Sequence, residues 1–139
     1  VESFCGTAGI LRSAWSRLQT GRPSALWNFI REFERPELTP KMISLAAEQG
    51  DEVALEVWGE IGYYLGLAAM SAVNMLDPDV IVFTGQIAKA GAPLFDAIRR
   101  TVRARARLNP WPWENIVPGA LGEDSGLIGV AAQVLAKLD

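Results

Sequence analysis

From Asp77 to Gly91 the chain reads DPDVIVFTGQIAKAG, a turn feeding a short, solidly apolar run that ends in small polar residues. A junction of that kind suits the capture of a nucleotide. In open α/β sheets, ligands gather beyond the carboxyl ends of strands, where loops are free and helix N-termini supply unpaired N–H donors. Thr84 brings a hydroxyl that both donates and accepts, and Gly85, having no Cβ, lets backbone come close to a bulky ligand. The same residues also fit a plain strand-to-helix turn, and the pattern alone leaves both readings open.

Other reactive side chains matter mostly through what they exclude. Cys5 is the single cysteine and histidine is absent, so no intramolecular disulfide and no zinc site are expected, while carboxylate-held Mg²⁺ remains open. Asp77, Asp79 and Asp124 each sit at an expected cap or turn, where structural use is common, and none is nominated as a catalytic base. Arg99, Arg100, Arg103, Arg105 and Arg107 crowd one segment, with Trp111 and Trp113 following. Arg99, Arg103 and Arg107 fall opposite the Leu94, Ile98, Val102 stripe, the layout of a solvated helix face, and the net charge is −3, so nucleic acid is not an expected partner. The tryptophans suit a core edge or a subunit contact.

Elements that would position these residues follow from periodicity and punctuation. A first helix is expected from about Ser3 to Leu18, with Ile10, Leu11, Ala14 and Leu18 on one side, stopping near Gly21 and Pro23. Trp27, Phe29, Ile30 and Phe33 form a weaker helical turn or loop. Thr39 followed by Pro40 marks a helix start and Gly50 its end. Asp51 caps the longest helix, whose stripe of Val57, Ile61, Leu65, Ala68, Ala72 and Met75 runs to Asp77 and Pro78. Gly59, Gly62 and Gly66 in that helix mark a face that another element approaches closely. Val80 to Phe83 is a strand expected to be covered on both faces. Pro93 opens a helix that ends before Asn109, Asn115 to Leu121 is a second strand with Pro118 at an edge or end, and Ser125 caps a last helix.

At 139 residues, half of them apolar, the chain is about one domain with a real core. VESFCGTAG has neither a basic start nor an apolar run, so it does not read as a signal peptide. Ile61 to Leu76 falls short of the roughly 20 apolar residues that span a bilayer, which points to a soluble, cytoplasmic protein. Two short strands do not make a self-sufficient sheet, so either a partner supplies further strands or the chain is one piece of a longer polypeptide.

The order of these parts resembles the C-terminal half of the ROK family, named for repressor, open reading frame and kinase. The resemblance runs from VESFCGTAGI, through AAEQGDEVALEVWGEIGYYLGLAAMSAVNMLDPDVIVFTGQIAKAG, to IVPGALGEDSGLIGVAA. It implies an α/β fold, a helix-rich C-terminal lobe of an actin-like, ribonuclease-H-type sugar kinase with an incomplete sheet, residues 1–139 forming that one lobe. It implies a hexose, glucose above all, and ATP with Mg²⁺ as ligands, and a homo-oligomer, a dimer. Glu2 matches the glutamate that hydrogen-bonds sugar hydroxyls. Thr84, Gly85 and Gln86 match the adenosine-side loop, with Gln86 departing from the usual second glycine. Gly126 and Gly129 match glycines of the closing helix, where close packing is their expected role. The aspartate base, the phosphate-binding turn and the structural zinc motif of the family are expected upstream of Val1, so the resemblance assigns no catalytic residue here. It also leaves an alternative, the sugar-sensing domain of a ROK-type transcriptional repressor.

Overall fold

A computed structural model describes residues 1–32, 37–106 and 110–136. Phe33, Arg107 and Asn109 lie outside the described residues. The expected first helix is two: α1 (Glu2–Cys5) and α2 (Thr7–Leu18), separated by Gly6 in extended conformation. Backbone crowding accounts for the break. A Cβ on Gly9 would stand 2.2 Å from the Phe4 carbonyl oxygen, so the start of α2 is pressed against the end of α1. The expected apolar side holds, with Ile10, Ala14 and Leu18 buried and Leu11 packed against them.

The segment with Trp27, Phe29 and Ile30 is helical, α3 (Leu26–Glu32). In α4 (Pro40–Glu48) the Thr39 hydroxyl accepts a hydrogen bond from Met42 N at 3.3 Å, with Pro40 where its missing N–H costs nothing. Asp51 caps α5 (Glu52–Leu76), one carboxylate oxygen accepting from Ala54 N at 2.9 Å. Its other oxygen accepts from Ala25 N at 2.6 Å, so one side chain fixes both the start of α5 and the approach to α3.

At about 38 Å, by the 1.5 Å rise per residue, α5 is the axis of the core. Its buried stripe is Val53, Val57, Trp58, Ile61, Leu65, Ala69, Met70 and Val73. The expected stripe was right through Leu65 and then drifts: Met75 is 81% exposed. The cause is α6 (Ala92–Arg105), which lies against α5 along Gly62 and Gly66. A Cβ on Gly62 would come 2.4 Å from Ala97 Cβ, and one on Gly66 2.5 Å from Thr101 Cβ. At Gly59 a Cβ would meet nothing within 4 Å, so close approach explains two of the three glycines.

α5 ends at Asp77, in the left-handed region at φ 44°, and the chain enters β1 (Ile81–Phe83). β1 pairs in parallel with β2 (Ile116–Pro118), Ile81 opposite Ile116 and Phe83 opposite Pro118, and α6 is the connection between them. Pro118 is the last residue of its strand, as its missing donor requires. Cover on both faces of β1 is not found: Val80 is 47% and Val82 50% exposed, while Phe83 packs edge-on against Phe95 of α6. Trp111 covers a core edge, its Nε1 donating to the Pro78 carbonyl at 2.6 Å.

Two further expectations change. Arg99 is not on a free solvated face; its guanidinium donates to the Ile116 carbonyl from Nε at 3.2 Å and Nη2 at 2.8 Å, tying α6 to β2. Arg103 lies over the Trp113 ring. The last helix, α7 (Ser125–Leu135), is not capped by Ser125, because a 3₁₀ turn at Gly122–Asp124 runs directly into it. No residue of α7 is buried, and a Cβ at Gly126 or Gly129 would meet nothing within 4 Å, so neither glycine serves close packing among the described residues. Among the described residues no helix is long and apolar enough to cross a membrane.

Candidate functional site

The parallel pairing sets the loop after β1. Gly119 N donates to the Phe83 carbonyl at 2.8 Å, extending the ladder beyond Pro118. A Cβ on Gly119 would stand 2.8 Å from Thr84 Cγ2, so a glycine is needed for the two strand ends to close on each other. Thr84 is exposed beyond that closure. Gly85 adopts φ 77° and ψ −162°, which L side chains avoid, and starts a 3₁₀ stretch, Gln86–Ala90. Gly91, at φ 72°, ends that stretch and starts α6.

This turn faces α4 across a cavity of about 530 Å³. Lys41, Ser44, Leu45 and Glu48 form the α4 wall, Gln86, Lys89 and Ala90 the opposite wall, and Trp58 of α5 lies between, with Thr7 of α2 also on the lining. Ligand sites commonly enclose about 300–1,000 Å³ of mostly apolar surface with a few polar groups, and this one has both. Trp58 is 1% exposed and its Nε1 has no hydrogen-bond partner.

Of the four residues singled out from sequence, the structure brings Thr84, Gly85 and Gln86 together in one loop, and Gln86 alone lines the cavity. Glu2 is exposed in the first turn of α1, outside that lining. Gly6 links the two regions: its N–H donates to the Glu2 carbonyl at 2.8 Å, and Thr7 beyond it reaches the cavity. Sequence reading missed Lys41, Ser44, Glu48, Trp58 and Lys89. Lys41, Ser44 and Glu48 recur at helical spacing on the polar side of α4, a signal equally given by an ordinary solvent face.

A second polar group sits where α2 meets α5. Ser13 Oγ donates to Glu60 Oε2 at 2.6 Å, and Arg17 Nη1 lies 2.9 Å from the same oxygen. Arg22 grips Glu56 with two nitrogens, at 2.7 and 2.9 Å. The Ser13 hydrogen bond, aided by Arg17 and opposed by partial burial, holds the Glu60 carboxyl below its usual range. The hydrogen bond from Arg22 does the same for Glu56. These charges satisfy one another and bind helices together. Among the described residues no three His, Cys, Asp or Glu side chains gather to hold a metal ion.

A parallel strand pair with its helical connection, and a glycine-hinged strand-end loop opening on a cavity, define a helix-rich α/β architecture. With its small parallel sheet it matches solved ROK sugar kinases. The chain belongs to the ROK family, whose model matches residues 1–137. A glucokinase of Halalkalibacterium halodurans is 37% identical over 129 residues, covering 93% of this chain and 38% of that protein. The crystal structure of a ROK family glucokinase from Streptomyces griseus in complex with glucose and AMPPNP superimposes with a TM-score of 0.80 at 26% identity, covering 95% of this chain and 43% of that one. The DNA-binding transcriptional dual regulator NagC of Escherichia coli is 36% identical over 70 residues, which are 50% of this chain and 17% of that protein. The chain thus spans less than half the length of each of these relatives.

Proposed function

We propose that these residues act as the C-terminal, nucleotide-side lobe of an ATP-dependent sugar kinase that phosphorylates a hexose, glucose in the first instance, at its 6-hydroxyl. The observation that carries this reading is the loop Thr84–Gly85–Gln86, which opens through Gln86 onto the cavity in a chain that aligns with glucokinases over almost all its length. In this reading Gly85 gives the backbone room beside the nucleoside, Gln86 offers its amide to ribose or base, and Glu2 accepts from two vicinal sugar hydroxyls. ATP supplies the transferable phosphoryl group, and its Mg²⁺ rides on the phosphates. A carboxylate must take the proton from the sugar hydroxyl, and no carboxylate of this chain is assigned that task, so the base is placed on further polypeptide. A cytoplasmic dimer completes the reading.

Purified 139-residue chain given glucose and Mg·ATP is expected to show no glucose 6-phosphate formation in a coupled assay; turnover would overturn the placement of the base. In the longer protein that this reading requires, Glu2→Gln is expected to weaken glucose binding much more than ATP binding in calorimetric titrations, and equal effects on both would remove Glu2 from the sugar site.

A second reading is favoured by two observations: Gln86 stands where the family's loop usually has a second glycine, and NagC is among the relatives. The lobe would then serve a sugar-responsive repressor with no kinase activity. Sugar-dependent DNA binding by the longer protein without sugar phosphorylation would select it.

A further inference from the structure

Three arginines of α6 share one groove. Arg99, Arg100 and Arg103 line it with Asp96 and Trp113, it encloses about 300 Å³, and it has no lining residue in common with the Gln86 cavity. Structural uses account for only part of this charge. Arg99 ties α6 to β2 through the Ile116 carbonyl, and its Nη1 lies 3.7 Å from Asp96 Oδ1. Arg103 falls in the last turn of α6, where a cation offsets the helix dipole. Arg100 is exposed ahead of that turn, and among the described residues neither it nor Arg103 has a carboxylate partner. Like charges three and four residues apart on a helix repel, so the groove keeps two cations that its own neighbours do not neutralise. Stacking separates it from an ordinary solvated face. Arg99 lies 5.7 Å from the Phe95 ring centroid and Arg103 5.8 Å from that of Trp113. Such contacts occur roughly once in 70–80 residues, so two beside one groove mean that its guanidiniums are held in place. A guanidinium stacked by its face keeps its edge N–H groups for an acceptor in its plane.

We infer that this groove is a binding site for a phosphomonoester, whose phosphate accepts from Arg100 and Arg103 while its organic part lies along Trp113. A phosphomonoester carries close to two negative charges at neutral pH, matching the two unpaired arginines, and its oxygens accept the parallel N–H groups of a guanidinium. In a chain of net charge −3, such an anion gathers only where positive charge is concentrated. Asp96 opposes an anion at its own end of the groove and lies beside Arg99, which leaves the phosphate to the Arg100 and Arg103 end. No residue of the Thr84–Gly85–Gln86 loop takes part, so the inference stands apart from the nucleotide reading. The hexose phosphate that the proposed reaction makes belongs to this ligand class.

The test titrates glucose 6-phosphate, and separately inorganic phosphate, into the ¹⁵N-labelled 139-residue chain at physiological salt. With glucose 6-phosphate, saturable shifts at the Arg100 and Arg103 amides and the Trp113 indole N–H should appear at millimolar concentration, a result that needs no variant to fold. Arg100→Gln and Arg103→Gln should each weaken binding by about tenfold, the scale of one charge-assisted hydrogen bond lost. Both side chains are exposed, so the melting temperature of either variant should hold. Arg105→Gln removes the same charge from the same helix but lies outside the groove, and it should leave the affinity nearly unchanged, because salt screens exposed charges beyond about 8 Å. Equal weakening by Arg105→Gln would reduce the effect to diffuse attraction and overturn the site. Shifts with inorganic phosphate alone would make it an adventitious ion site only, and the absence of saturable shifts with either ligand would also end the inference. The nucleotide reading, tested at the Gln86 loop, survives each of these failures.

Discussion

Cys5 shows how much of a side chain's behaviour is set by what covers it. It is 8% exposed, its Sγ–H points to the Ile61 carbonyl at 3.8 Å, and burial, ahead of weaker charge effects, raises its pKa above the ordinary thiol value. The thiolate is the reactive form, so Cys5 should alkylate with iodoacetamide much more slowly at pH 8 in the native chain than in urea; equal rates would show that α1 does not pack Cys5 against α5. Glu60 is the converse case. Its folded pKa is depressed below the ordinary glutamate value, so the stability it contributes is fully present above that value and is lost as pH falls through the folded one. Its side chain is 35% exposed, which limits the contribution to about 1 kcal/mol or less. Glu60→Gln should therefore flatten the fall of the melting temperature as pH drops below the ordinary glutamate range relative to the unaltered chain, and an unchanged acid slope would mean the Ser13 and Arg17 bonds are not formed in solution.

At the scale of elements, the α5 and α6 pair makes the sharpest claim. Gly62→Ala and Gly66→Ala each force a Cβ into Ala97 or Thr101 and should destabilise the chain by about 1–3 kcal/mol or more, read as a fall in the urea midpoint. Gly59→Ala meets open space in mid-helix and should stabilise it by roughly 0.5–1 kcal/mol. Uniform effects at all three positions would show that the helices do not approach as described. This contrast also marks how far sequence reaches. Caps were legible because they are local: Thr39 and Asp51 each accept from an N–H three residues on. The break at Gly6 was not, because it depends on α2 pressing against Phe4. Gly62 and Gly66 looked the same as Gly59 until a second helix was set against them. Arg99 read as a solvated charge because its acceptor, the Ile116 carbonyl, lies on a strand whose approach to α6 periodicity does not show.

The whole molecule is a core without all its cover. Leu127, Val130, Val134 and Leu135 of α7 are 75%, 64%, 56% and 65% exposed, and Met75, Leu76 and Val82 add to the uncovered apolar area. The 139-residue chain should bind the dye ANS and self-associate at micromolar concentration, and Leu127→Glu with Val130→Glu should suppress both; a monomer silent to the dye would mean α7 packs down in solution. The strand-end loop was legible from composition, since an apolar run that stops at Thr84 and Gly85 is a local signal. The cavity was not, because its walls come from α4, α5 and the 86–90 turn, which only the fold brings together. The most direct test of the account is to titrate ATP into ¹⁵N-labelled chain and follow the backbone amides. Saturable shifts concentrated at Thr84, Gly85, Gln86, Lys89, Ser44 and Trp58 are the predicted result. Shifts confined to the arginines of α6, or no shifts at millimolar ATP, would contradict it.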